Sequence, residues 1–206
     1  KHTGRPQVEH HLLGFFNQQN WLARRGMRAQ SAELVEISRW ELGSEISVLD
    51  LLVSLDFGAG LRKTFHLLLT AGNESSNPEI RLRYAPTVFA LMNQPKTTSS
   101  DPLLLYEAMS SKSFFYELAK LVFDGSSKRR RLKTVEVEKH GEIPKHDPEE
   151  CLLLSTNFSN RCAIIDNRYL LKVYREFTLE DNPEVQIIDE LQRLGFKHMP
   201  QYYGAF

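Results

Sequence analysis

From Ala32 to Met92 strand-like runs alternate with turn residues, and that rhythm limits the fold more than any other feature. The runs are Ala32–Leu42, Glu45–Phe57, Leu61–Ala71 and Glu79–Met92, punctuated by Gly43-Ser44, Gly58-Ala59-Gly60 and the polar stretch from Gly72 to Pro78. Connections of this kind predict hairpins, and hence an antiparallel sheet. Alternation from Glu33 to Ile37 and from Ile80 to Tyr84 predicts one buried and one wet face. Upstream, Val8, Leu12, Leu13, Phe15, Phe16 and Leu22 fall at helical spacing, with an end near Gly26. A helix laid across a curved antiparallel sheet buries the apolar face of both, so the expected class is α+β. His66, inside the third run, reads as a satisfied sheet histidine. His10 and His11 are adjacent and point to different sides of a helix, which makes them poor joint metal ligands.

Composition removes several function classes. The 206 residues carry 26 Lys and Arg against 26 Asp and Glu, so no global charge steers the chain to nucleic acid or to a membrane surface. The basic run Lys128–Arg131 reads as a solvated loop. No apolar stretch approaches the ~18 residues that suggest a membrane span. Lys1 to His11 lacks a signal-peptide core and an initiator Met, which fits a processed product or a piece of a longer polypeptide. Cys151 and Cys162 have neither zinc nor disulfide-framework spacing and read as free thiols in a cytoplasmic protein.

Asn93 to Pro102 is a polar break. Asp101 to Gly125 then predicts one helix or two short ones, with Asp101 as N-cap and Pro102 at the first helical position. Leu132, Val135 and Val137 suggest a strand in an otherwise linker-like stretch, and a domain boundary is expected between Asp124 and Glu150. From Cys151 onward two or three strands are expected, with a tight turn at Asp166-Asn167. A helix follows at Pro183, capped by Asn182 or Asp181, and then a short strand from Met199 to Phe206.

Lys172 interrupts an apolar run that otherwise reads as a core strand, and twelve residues later Glu184 opens the amphipathic helix. At ~100° per residue, Ile187, Ile188, Leu191 and Leu194 form one stripe with Glu184 near its middle, while Gln186 lies opposite. A carboxylate on a buried face needs a cation, and Lys172 is the obvious one. A strand lysine held by a helix glutamate is the arrangement that grips nucleotide phosphates in kinase-like folds. A structural salt bridge explains the spacing equally well. The loop Thr156–Cys162 is rich in hydroxyl and amide side chains, which suits phosphate, although it has no glycine and is neither a Walker loop nor a protein-kinase glycine loop.

Ser159 to Phe206 resembles the start of the kinase-like core of bacterial maltokinases. Those enzymes typically read Ser-Asn-Thr-Ser, a short hairpin, Leu-Lys-Leu-Phe/Tyr-Arg, then Asn-Pro-Asp/Glu opening a helix, then Gly-Phe-x-x-x-Pro and Gly-Ala. Here the corresponding residues are Ser159–Cys162, Leu171–Arg175, Asn182-Pro183-Glu184, Gly195-Phe196, Pro200 and Gly204-Ala205. Asn17 to Ile37, with Trp21 and Arg25, is similar to the N-terminal signature of the same family.

The resemblance implies a cystatin-like N-terminal cap over residues 1–95, a helical segment and linker over 96–150, and the beginning of a protein-kinase-like N-lobe over 151–206. It implies the N-terminal portion of an enzyme that phosphorylates maltose with ATP and Mg²⁺, feeding α-glucan synthesis, with a trehalose synthase domain or enzyme as partner. Lys172 would take the phosphate-holding role and Glu184 would orient it, with Ser159, Asn160 and Arg161 at the phosphate-loop positions. Arg161 and Cys162 stand where the family has Thr and Ser, and Gln186 where it commonly has Glu. No catalytic base or magnesium ligand is expected within this chain, so activity would need the second lobe, and the lobe face exposed without it would favour self-association. The alternative is a non-catalytic cap or interaction module in which the Lys172–Glu184 pair is purely structural.

Overall fold

A computed structural model describes residues 5–43, 46–93, 101–124, 138–139, 148–154, 160–178 and 182–205. The chain begins with helices α1 (Arg5–Asn17) and α2 (Asn20–Ala23), and Gly26 ends the turn after them with φ of 66°. Strands β1 (Ser31–Leu42), β2 (Ile46–Asp56) and β3 (Arg62–Asn73) pair antiparallel in sequence order. Helix α3 (Pro78–Arg83) follows, then β4 (Val88–Met92), β5 (Leu103–Glu107) and helix α4 (Lys112–Asp124). The remainder comprises β6 (Glu138–Lys139), β7 (Cys151–Leu153), β8 (Asn160–Ile165), β9 (Tyr169–Tyr174), β10 (Glu176–Phe177), α5 (Pro183–Arg193) and β11 (Gly204–Ala205).

The main sheet has the order β1-β2-β3-β5-β4, and β10 pairs with β3 beside β5. A second antiparallel sheet is β7-β8-β9, and β11 pairs with β6. The class is therefore α+β, built on an antiparallel sheet with a few helices. Among the described residues no helix is long and apolar enough to cross a membrane.

Strand alternation divides the main sheet between two cores. Leu51, Val53, Leu55, Phe65, Leu67 and Leu69 face Leu12, Phe15, Phe16, Trp21 and Leu22 of α1 and α2. Val48 and Leu68 face the other way, toward Phe114, Phe115, Leu118 and Phe123 of α4 and Ala163 and Ile165 of β8. β1 serves both cores because its register to β2 shifts between Leu34 and Glu36. The extra residue re-phases the strand. Ala32 and Leu34 thus join the first core and Trp40 and Leu42 the second, while Val35 and Ile37 stay exposed.

Several segments differ from the sequence expectation: the opening helix is broken into α1 and α2, and among the described residues of the expected Met199–Phe206 strand only Gly204–Ala205 is strand. The start of the fourth strand-like run, with the preceding Pro78, forms helix α3, with Pro78 in its first turn, Glu79 near its start and Arg81 and Arg83 near its end. That charge order complements the helix dipole. Ile80 is buried and Leu82 is 82% exposed, so the alternation at 80–84 marks one buried position of a short helix rather than a strand face. Conversely, Leu103–Glu107 is a strand, and the helix begins only at Lys112. Asp101 does not cap it: the carboxylate accepts from the Ser75 hydroxyl at 2.5 Å. The apolar run LLLYE fits either period, and pairing with both β3 and β4 selects the extended form. The strand expected at Leu132, Val135 and Val137 lies outside the described residues.

The stretches before and after residues 125–147 share side-chain contacts. β10 pairs with β3, and Glu176 on β10 receives both Lys63 and, at 3.1 Å, Arg25. Leu171 and Val173 of β9 pack on the second core with α4.

Candidate functional site

The β8–β9 hairpin sets the site. Asp166 and Asn167 have φ of 52° and 53°, left-handed values that Asp and Asn tolerate, in a turn of three residues, 166–168, between the paired Ile165 and Tyr169. This turn fixes a register in which Cys162 faces Lys172 and Asn160 faces Tyr174. Side chains two apart share a face, so Asn160, Cys162, Lys172 and Tyr174 lie on the outer side of the small sheet. Arg161, Ala163 and Ile165 turn inward and are buried.

α5 brings the carboxylate. The Asn182 side chain accepts from the Glu184 backbone N–H at 2.9 Å, and Pro183 occupies the first turn. The helix starts where the Asn-Pro pair predicts, and Glu184 sits in its first turn above β9. Lys172 Nζ donates to both carboxylate oxygens of Glu184, each at 2.5 Å. It also stands 4.9 Å from the centroid of the Tyr174 ring. The strand lysine and helix glutamate expected from spacing are therefore joined.

The expected burial is not found. The Lys172 side chain is 26% exposed and that of Glu184 46%, and no residue of α5 is fully buried. Ile187 and Leu194, two members of the expected apolar stripe, are 60% and 73% exposed. α5 rests on the edge of the small sheet instead of being packed into a core, so the pair is a solvent-edge bridge.

Hydrogen bonding from Lys172 holds the Glu184 carboxyl below the usual glutamate range, against a smaller opposing effect of burial and with a further lowering from the Tyr174 phenol. Burial pushes the Tyr174 phenol up, and the neighbouring Glu184 charge adds to it. Burial likewise raises the Cys162 thiol, partly offset by Lys172. At neutral pH the face thus presents an ionised carboxylate, a protonated phenol and a protonated thiol.

A carboxyl whose folded pKa is depressed stabilises the fold above its unfolded value, about 4.3, and loses that contribution as pH falls through the folded value. Native protein and Lys172→Met are expected to differ in stability at about pH 7 and to converge near pH 3 in denaturant titrations. The difference should be small, about 0–1 kcal/mol, because the pair is exposed.

The structure separates the phosphate-loop candidates. Asn160 lies on the same face as Lys172. Ser159 lies outside the described residues. Arg161 is a correction: it points into the protein, where Nη2 approaches Glu107 Oε2 at 3.4 Å and Ser110 Oγ at 3.1 Å. Strand alternation forces this once Asn160 and Cys162 face outward. Gln186 is exposed, consistent with its place opposite Glu184 on the helix. Trp21 belongs to the first core, packed 5.5 Å from the Phe65 ring, and Arg25 binds Glu176.

Sequence reasoning overlooked the group behind Arg161. Glu107 at the end of β5 is clasped by Arg175, with Nε to Oε1 and Nη2 to Oε2 both at 2.9 Å. All three side chains are almost fully buried. Arg175 follows β9 directly, so the same strand ends in Lys172 and Tyr174 outside and Arg175 inside. Parity counted from Lys172 would have flagged both Tyr174 and Arg175. Glu107 carried no such signal, because its segment reads as helix.

His66 is a sheet histidine, its Nδ1 2.9 Å from Asp50 Oδ1. A groove of about 820 Å³ lies against α4, lined in part by Thr70, Tyr106, Lys112, Tyr116 and Lys120; it does not include the Lys172 group. Among the described residues no three His, Cys, Asp or Glu side chains gather as a metal site. Compared with models of protein families and with curated proteins, the sequence matches none.

Proposed function

We propose that the chain is the N-terminal portion of an ATP-dependent maltokinase, with Lys172 as the nucleotide-phosphate lysine and Glu184 as its orienting partner. On this reading residues 1–95 are a cystatin-like cap, 96–150 a helical segment and linker, and 151–206, with β7–β9 and α5, begin a kinase-like N-lobe. The observation that carries it is the Lys172 ammonium held by both oxygens of a helix-borne carboxylate, on a side chain that is 26% exposed. A buried structural pair would keep no such opening. The residues fit a polyphosphate in that a partly exposed lysine side chain shares a sheet face with Asn160. Bound ATP with Mg²⁺ would supply the phosphoryl group. Lys172 would neutralise phosphate oxygens, and Glu184 would fix where that ammonium sits. The reading assigns the catalytic base and the magnesium ligands to the second lobe. The exposed Leu170, Ile187 and Leu194 would then face that lobe, or a second copy of the chain in its absence.

A second reading, a non-catalytic cap or interaction module accompanying a trehalose synthase, draws support from Arg161, which turns into the core and offers phosphate nothing.

Maltose-dependent ATP consumption by the full-length protein distinguishes the two. Lys172→Met is expected to lower it by about a hundredfold or more, the scale of losing one preorganised charge in phosphoryl transfer. Activity insensitive to that change removes the assignment of Lys172, and no maltose-dependent consumption at all favours the module.

A further inference from the structure

The geometry points to Tyr174 as a positioning residue for the nucleotide lysine: its ring supports the Lys172 ammonium while its phenol faces the Glu184 carboxylate. The inference rests on the reading of Lys172 given above. Three observations converge on it. Tyr174 follows Lys172 by two residues on one strand and therefore shares its face. The ammonium lies 4.9 Å from the ring centroid, within the ~6 Å at which a cation is drawn to an aromatic face. The phenol acts on the same carboxylate that Lys172 grips, helping to keep it ionised.

The chemistry explains why a ring serves here. An ammonium has three N–H groups and no acceptor. Two of them meet Glu184. A second carboxylate in place of the ring would hold the lysine as firmly, but it would repel an incoming phosphate. The quadrupole of an aromatic face attracts the cation without adding a formal negative charge. The ammonium therefore stays fixed in direction and remains free to pair with phosphate through its third N–H. The phenol acts on the same carboxylate, so the three groups form one cluster on the outer sheet face.

The test uses the full-length protein and compares Tyr174→Phe and Tyr174→Leu with Lys172→Met. Tyr174→Leu, which loses ring and phenol, is expected to raise the KM for ATP about tenfold. Tyr174→Phe keeps the ring and is expected to raise it about threefold or less. The KM for maltose should stay within about twofold in both, and kcat should change less than the KM for ATP. Thermal unfolding of each variant separates folding from positioning. A Tyr174→Leu variant with an unchanged KM for ATP, whatever its Tm, overturns the inference while leaving the role of Lys172 intact. If Lys172→Met retains maltose-dependent ATP turnover, the reading of the lysine fails first and the inference falls with it.

Discussion

Glu107→Ala is expected to destabilise the protein by about 3–5 kcal/mol, the cost of leaving a buried charge without its counterion. Glu107 is the carboxylate shared by two buried arginines, taken by Arg175 through two 2.9 Å bonds and approached by Arg161 at 3.4 Å. These three side chains tie β5, β8 and the end of β9 together across the interior. Removing the carboxylate leaves two guanidinium groups repelling each other where water cannot reach. Arg161 is already incompletely satisfied: its Nε finds no hydrogen-bond partner among the described residues, and burial pulls its pKa down. Equilibrium unfolding in denaturant measures the loss. A triple replacement of Glu107, Arg161 and Arg175 by apolar residues of similar volume should recover most of it, because the desolvation cost of the charges vanishes with them. A loss below about 1 kcal/mol for Glu107→Ala would show that the carboxylate is not the counterion that the interior depends on.

Phe65→Ala should cost a comparable amount, about 3–5 kcal/mol, by a different mechanism. Phe65 is fully buried at the centre of the first core, with the Phe16 ring at 5.9 Å and the Trp21 ring at 5.5 Å. With Leu67 and Leu69 it is one of the residues through which β3 meets α1 and α2. Truncation removes a whole ring and leaves a cavity that three different elements would have to move to fill. For a chain of this length the Tm should fall by about 10 °C. Leu82→Ala is the control, since that side chain is 82% exposed and its loss should leave Tm nearly unchanged. A Tm within ~2 °C of native for Phe65→Ala would mean that the helices pack on the sheet through other residues.

These two changes mark the limit of what local patterns convey. The first three strands, the opening helix, the Asp166-Asn167 turn and the Asn182-Pro183 helix start could all be read directly, because each depends on residues within a few positions. Hydrophobic period, positive-φ tolerance and capping chemistry are local properties. The Lys172–Glu184 bridge was legible for the same reason: a hairpin strand and the next helix must lie close, and opposite charges at the facing positions find each other.

Residues 78–83 and 103–107 were misread because short apolar runs satisfy two periods at once, and partners distant in the chain break the tie. The degree of burial was also out of reach. Spacing placed Glu184 on an apolar stripe, yet α5 lies at the rim, where Ile187 and Leu194 meet solvent.

Sequence alone was enough for the α+β class, for most element boundaries before residue 78, and for the pairing of one lysine with one glutamate. Long-range packing chose which faces of β1 and β8 turn inward, sent Arg161 into the interior, and gave Glu107 two arginines from later strands. The physical reason is that backbone propensity and side-chain period act over a few residues. The desolvation of a charge, by contrast, depends on everything the folded chain places around it.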